Sequence, residues 1–240
     1  LSQPIDVLAV AAHPDDAELT CGGTLIKMAG RGYRVGVLDL TRGEIGTRGS
    51  AAIRSKEAEN AARIMGLALR ENLGLPDGKL EDTQENRIKI ARTIRGLGPR
   101  VLILPNWKSR HPDHELTVTM TRAAAFLAGL KRIKGEGRPV RPEKIIYSLA
   151  YIEHSVKPSF IVDITGQFEK KMEAIMCYRS QFEGRLEAGE IFPNGQALPE
   201  LVRTHALYYG SLIRVLYGEP YYVRETLSVD DIVTMGVKSI

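Results

Sequence analysis

IDVLAVAAHPDDAE (residues 5–18) joins an unbroken apolar run to a His-Pro-Asp-Asp step and a Glu shortly after it. Apolar residues without alternation read as a strand buried on both faces, as in a parallel sheet. Pro14 with Asp15, Asp16 and Glu18 behind it reads as a helix start. Proline's fixed φ suits the first helical position, and the helix dipole favours carboxylates there. The stretch is therefore strand, tight turn, helix. The same grammar returns in RVLILPNWKSRHPDHE (100–115), an apolar run, a short loop and a second His-Pro-Asp.

Between and after these two segments the pattern alternates. RVGVLDLT (34–41) reads as a second strand and AAIRSKEAENAARIMG, at about 50–66, as a helix with Ser50 as N-cap. LRENLGLPDG (69–78) reads as a short strand and turn. TQENRIKIARTIRGL (83–97) reads as an amphipathic helix capped by Thr83 and ended by Gly98 and Pro99. A helix is expected near 114–130, strands at 144–150 and 160–164, and helices over 165–182 and 198–218. This alternation predicts an α/β fold with a mainly parallel sheet and right-handed crossovers. We expect one domain over 1–240, with the less patterned stretch from about 184 to 240 as a cap or oligomer contact.

In a doubly wound sheet of order 3-2-1-4-5, strands 1 and 4 are neighbours. Ligands bind at the switch point between them. Taken singly, each HPD segment is an ordinary helix start. Taken together at that crevice, His13, Asp16 and His114 supply three N/O ligands and leave a fourth position for water, the layout of catalytic zinc. His/carboxylate sets accept iron as well. Asp15 is then the nearby carboxylate able to take a proton from a water acidified by the metal. His111 is placed to stabilise an oxyanion or protonate a leaving amine, and Asp113 to orient a histidine. The chemistry this set serves is hydrolysis of an amide or ester.

Composition narrows the alternatives. Of 240 residues, 43% are hydrophobic and 26% charged, enough for a substantial core. No apolar run approaches the roughly 18–20 residues that span a bilayer. The start of the chain lacks a basic segment ahead of its apolar run, so no signal peptide and no membrane partner are expected. Cys21 and Cys177 are the two cysteines, without a CxxC pair. They fit a reducing cytoplasm, although a disulfide between them stays open. The net charge of +4 is mild, and no aromatic-rich basic motif supports nucleic-acid binding. Arg42, Arg48, Arg54, Lys56, Lys108 and Arg110 cluster in the segments flanking the HPD motifs. An anionic small-molecule partner accounts for that clustering, as does scattered surface charge.

AHPDD-x-E, followed by CGGTL and later by HPDH, resembles the LmbE/PIG-L family over most of the chain. The resemblance implies a Rossmann-like three-layer fold and a zinc-dependent N-deacetylase acting on N-acetylglucosamine conjugates. It matches His13, Asp16 and His114 to the metal ligands, Asp15 to the general base and His111 to the histidine assisting at the transition state. Arg54 matches a substrate-contacting arginine, and family members suggest homohexamers. NWKSRHPDH, YRSQF (178–182) and YGEPYYVRETLSVDD (217–231) are most similar to the N-acetylglucosaminyl-malate deacetylases of bacillithiol synthesis, with GEPY a mild departure. Malate is a dicarboxylate, and Arg54, Lys108 and Arg110 suit it, the arginines through bidentate pairing. Glu44, in the Gly-rich loop, either contacts the sugar or caps the next helix. A thiol-conjugate amidase, a deacetylase of inositol-linked or chito-oligosaccharide substrates, and a non-catalytic sugar- or metal-binding module remain as alternatives.

Overall fold

The computed structural model describes residues 3–133, 137–151, 154–183 and 198–237. A seven-stranded sheet runs β3-β2-β1-β4-β5-β7-β6. Its strands are β1 (Val7–Ala11), β2 (Val35–Thr41), β3 (Leu69–Leu75), β4 (Val101–Leu104), β5 (Lys144–Ser148), β6 (Phe160–Asp163) and β7 (Gly218–Tyr222). The first five are parallel in the expected order 3-2-1-4-5, and β7 and β6 extend the sheet antiparallel. β1 and β2 are buried at every position, which is why they read as unbroken apolar runs.

Helices cover both faces. On one side α3 (Gln84–Leu97) and α4 (Pro112–Ala128) pack on Leu8, Val10, Leu38, Leu102 and Leu104. On the other, α1 (Asp16–Gly30), α2 (Ala51–Met65) and α5 (Phe168–Ile175) pack on Val7, Ala9, Val35 and Val37. Alternate β1 residues thus feed opposite layers, as the period of two requires. The caps are those expected: Ser50 Oγ accepts from Ile53 N–H, Thr83 Oγ1 accepts from Asn86 N–H, and Gly98 ends α3.

Two C-terminal expectations are corrected. The helix expected over 165–182 is divided into α5 and a short turn of helix, α6 (Arg179–Phe182). The break buries Tyr178 completely and brings its hydroxyl 3.0 Å from Glu18 Oε1, to which it donates. The helix expected over 198–218 is α7 (Leu198–Leu212), with Arg214 at φ 63 just beyond it, and the chain re-enters the sheet as β7. Pro220 sits inside β7, where proline argues against an internal strand. Its carbonyl accepts from Leu149 N–H, just past the last β5–β7 pair, Ser148↔Tyr221. The missing N–H therefore falls where β5 has ended. Residues 184–197 of the expected C-terminal cap lie outside the described residues.

β7 also ties the sheet to α1. Gly23 and Thr24 N–H, in the middle of α1, donate to the two oxygens of Glu219 at 2.8 and 2.7 Å. The carbonyls four residues earlier, Leu19 and Thr20, accept from Lys171 and Ser148. Lys171 Nζ pairs with Glu219 at 2.7 Å, both buried, so neither charge is isolated. α1 follows directly on the first HPD motif and bears Asp16, so this clamp holds the helix on which that motif abuts.

Candidate metal centre

β1 and β4 are hydrogen-bonded neighbours. Their carboxyl ends release the two HPD segments side by side at the switch point of the sheet. His13 Nδ1 and His114 Nε2 each lie 3.3 Å from Asp16 Oδ2. Three ligand atoms on a tetrahedral ion with bonds of about 2.0–2.1 Å stand about 3.3 Å apart, so these residues fit a zinc-like cation with one position left open. Among the described residues His13, Asp16 and His114 form one set able to hold an ion, and His13, His111 and Asp113 form a second.

Each ligand is held from behind. His13 N–H donates to Asp16 Oδ2 at 2.9 Å. The far nitrogen of His13, Nε2, is 3.0 Å from Asp77 Oδ1 and 3.4 Å from Asp113 Oδ2. His114 Nδ1 lies 3.3 Å from Ser109 Oγ, and the same hydroxyl accepts from His111 N–H. Burial opposes charge on His13, but Asp113, Asp16 and Asp77 together hold it well above the ordinary imidazole range. Burial likewise opposes ionisation of Asp16, and His114 and His13 reverse that, keeping the carboxyl well below its usual range. A negative pocket around two imidazoles is the electrostatic setting a divalent cation requires.

Asp15 is not part of either set. It precedes α1 at φ 110, a left-handed conformation uncommon for any residue but glycine and costly for most. That turn separates its carboxylate from that of Asp16, so adjacent residues serve different atoms. Burial pushes the Asp15 carboxyl up to about 7, with Arg54 pulling it back down. A base with a pKa near neutrality is suited to proton transfer. Arg54 Nη2 donates to Asp15 Oδ2 at 2.9 Å and to Pro14 O, and its Nη1 donates to Gly43 O. Gly43 is at φ 65, and a Cβ there would stand 2.0 Å from Arg54 Nη1. The Gly-rich loop is thus shaped to admit this guanidinium.

His111 is the N-cap of α4: its Nδ1 accepts from Asp113 N–H at 3.3 Å. Nε2 then carries the proton of the neutral ring. Burial and the neighbouring His13 and His114 lower its pKa below the ordinary imidazole value. Asp113 is buried and divides Oδ2 between Gly78 N–H and His13. Lys108 and Arg110 are exposed beside the second motif. Glu44 accepts from Asp77 N–H with one oxygen and from Arg42 N–H with the other, so it fastens two loops together. Arg54, matched above to a substrate contact, has its guanidinium engaged inside the protein.

Sequence reasoning missed Asp77, Ser109 and the cluster behind Asp16. There Arg70 pairs with both oxygens of Asp39 and with Glu18, and Glu18 also accepts from Tyr178. The Glu of each HPD motif is therefore structural: Glu18 faces Arg70, and Glu115 accepts from Ser109 N–H. His205 stacks on Tyr151 and accepts its N–H. Cys21 and Cys177 are free thiols.

A His/Asp set able to hold an ion, gathered from the carboxyl ends of β1 and β4 with the buried Asp15 carboxylate beside it, thus stands on a parallel sheet extended by an antiparallel pair. The family model described as PIG-L: GlcNAc-PI de-N-acetylase matches residues 8–125. The diacetylchitobiose deacetylase of Thermococcus kodakarensis is 32% identical over 89% of this chain and 80% of its own length. The chain belongs to the PIG-L/LmbE family. The conserved protein TT1542 of Thermus thermophilus superposes with a TM-score of 0.83 at 40% identity, over 94% of this chain and 98% of that one. A probable N-acetyl-α-D-glucosaminyl L-malate deacetylase 2 of Bacillus anthracis is 29% identical over 73% of this chain and 81% of its own. Among the described residues no helix is long and apolar enough to cross a membrane.

Proposed function

We propose that this chain is a metal-dependent deacetylase that hydrolyses the N-acetyl amide of an N-acetylglucosamine conjugate, giving acetate and the free amine. The observation that carries the reading is the convergence of His13, Asp16 and His114, with a separate buried carboxylate, Asp15, beside them. A binding module needs the ligands but not the base.

Zinc, or iron in the cell, held by His13, Asp16 and His114 supplies Lewis acidity toward the amide carbonyl and lowers the pKa of a water. Asp15 takes a proton from the attacking water, and Arg54 keeps the accepting oxygen aimed. His111 donates through Nε2 to the oxygen that gains charge as the carbonyl carbon becomes tetrahedral. When the C–N bond breaks, the proton taken by Asp15 passes to the leaving amine. Asp113 steadies His13 from the far side.

For the aglycone we favour malate. Lys108 and Arg110 stand exposed beside the second motif, and the Bacillus anthracis relative supports the assignment. The second reading is a chito-oligosaccharide, supported by the Thermococcus kodakarensis relative. We also propose a homo-oligomer, built on the exposed apolar side chains Leu207, Tyr208 and Leu212 of α7. Metal analysis, followed by amine release from malate-, inositol- and oligosaccharide-linked N-acetylglucosamine, tests the function. Protein that binds zinc and sugar yet releases no acetate from any of them sinks the enzyme reading.

A further inference from the structure

The two nitrogens of His13 face different partners. Nδ1 lies beside Asp16 on the side where the three ligand atoms converge, and Nε2 lies 3.0 Å from Asp77 Oδ1. We propose that Asp77 is a positioning residue of the metal centre, which fixes the proton of His13 on Nε2 and so leaves Nδ1 bare and aimed at the cation. The inference rests on the metal-site reading above.

A histidine ligand is set by the hydrogen bond its other nitrogen makes. Two carboxylates compete for that role here. Asp113 Oδ2 is farther, at 3.4 Å, and already accepts from Gly78 N–H at 2.7 Å. Asp77 divides its duties between oxygens: Oδ2 accepts from Ile45 N–H at 3.0 Å, while Oδ1 is turned to His13. Its backbone is held too, because Asp77 N–H donates to Glu44 Oε1 at 3.0 Å. The Gly-rich loop after β2 and the turn after β3 are thereby joined, and Asp77 is only 5% exposed. A carboxylate so restrained has one geometry to offer the imidazole.

The same contact accounts for the second ion-holding set, His13 with His111 and Asp113. A cation bound on that side must displace the proton shared between His13 and Asp77. With Asp77 in place, His13 presents Nδ1 alone, and one cation position is selected over the other.

The test measures metal binding rather than turnover. Zinc affinity is determined by competition with a chromophoric chelator for the full-length wild type, Asp77→Asn, Asp113→Asn and Asp16→Asn. Asn at 77 keeps the volume and an oxygen for Ile45 N–H but weakens the pull on the His13 proton. We expect Asp77→Asn to raise the zinc dissociation constant about 10- to 100-fold, with a smaller rise for Asp113→Asn. An unchanged constant in Asp77→Asn, while Asp16→Asn loses zinc, overturns the role of Asp77 and leaves the metal site standing. Zinc binding untouched by Asp16→Asn overturns the site itself. Should Asp77→Asn fail to fold, the wild type decides alone. In the zinc-loaded, ¹⁵N-histidine-labelled protein, His13 is expected to be metal-bound at Nδ1 and protonated at Nε2. Ligation through Nε2 overturns the proposal.

Discussion

Arg54 and Asp15 form a nearly closed ion pair, Nη2 to Oδ2 at 2.9 Å, with both side chains largely withdrawn from solvent. Removing one partner of such a pair strands the other. Arg54→Met is expected to lower stability by about 3 kcal/mol, read from urea unfolding. It is also expected to lower kcat for N-acetyl hydrolysis at least tenfold with the metal content unchanged. A rise in KM alone would return Arg54 to direct substrate binding.

Asp15 needs a substitution that respects its backbone. At φ 110 alanine adds strain, whereas asparagine tolerates the left-handed region and keeps the side-chain shape. Asp15→Asn is therefore expected to retain a full equivalent of metal and lose turnover by about 10²–10⁴-fold, the usual weight of a general base. Metal analysis beside single-turnover kinetics checks both halves. Loss of metal would make Asp15 a ligand.

Arg110 bears on the aglycone. If the substrate carries a carboxylate at the rim of the site, Arg110→Ala raises KM for the malate conjugate by about tenfold, one charge-assisted hydrogen bond's worth. KM for a neutral oligosaccharide should barely move. Equal effects on the two substrates would remove the argument for malate.

His205 makes a prediction about stability. Burial, aided by Lys171, lowers its pKa from 6.5 to about 4, and it accepts the Tyr151 N–H as a neutral ring. The unfolded chain therefore binds the proton first. Its contribution is intact above pH 6.5 and declines as the pH falls toward 4, by up to about 3 kcal/mol. In His205→Gln this part of the acid sensitivity is absent. Urea unfolding at pH 7 and pH 4.5 should then differ less than in the wild type.

β1 and β2 were legible because both are buried at every position, and β3, half exposed, because a turn signal closes it and a capped helix follows. Val7–Ala11 and Val101–Leu104 have no polar residue to confuse the reading. The convergence of His13, Asp16 and His114 was legible because these residues lie in two short motifs and the strand order makes those motifs neighbours. Asp77 was not, because LPDG carries an ordinary turn signal and its partner stands 64 positions earlier, a pairing only the folded sheet creates. Ser109 was hidden the same way, within a polar loop where serine is unremarkable. β7 was missed because GEPYY contains the two residues that normally demote a strand. What holds it is the buried Glu219, whose partners lie in α1 and α5.

That clamp has a consequence for synthesis. The N–H of Gly23 reaches a carboxylate 196 positions later. While the chain emerges from a ribosome, the helix bearing Asp16 is made early, yet the side chain that grips its middle arrives after five other strands and Lys171. A nascent chain stopped short of Gly218 exposes the edge of β5 and leaves Lys171 without its counter-charge. Contacts this distant in sequence slow folding and prolong the exposure of unpaired strand edges. The early-made HPD segment thus waits on β7 for its final support.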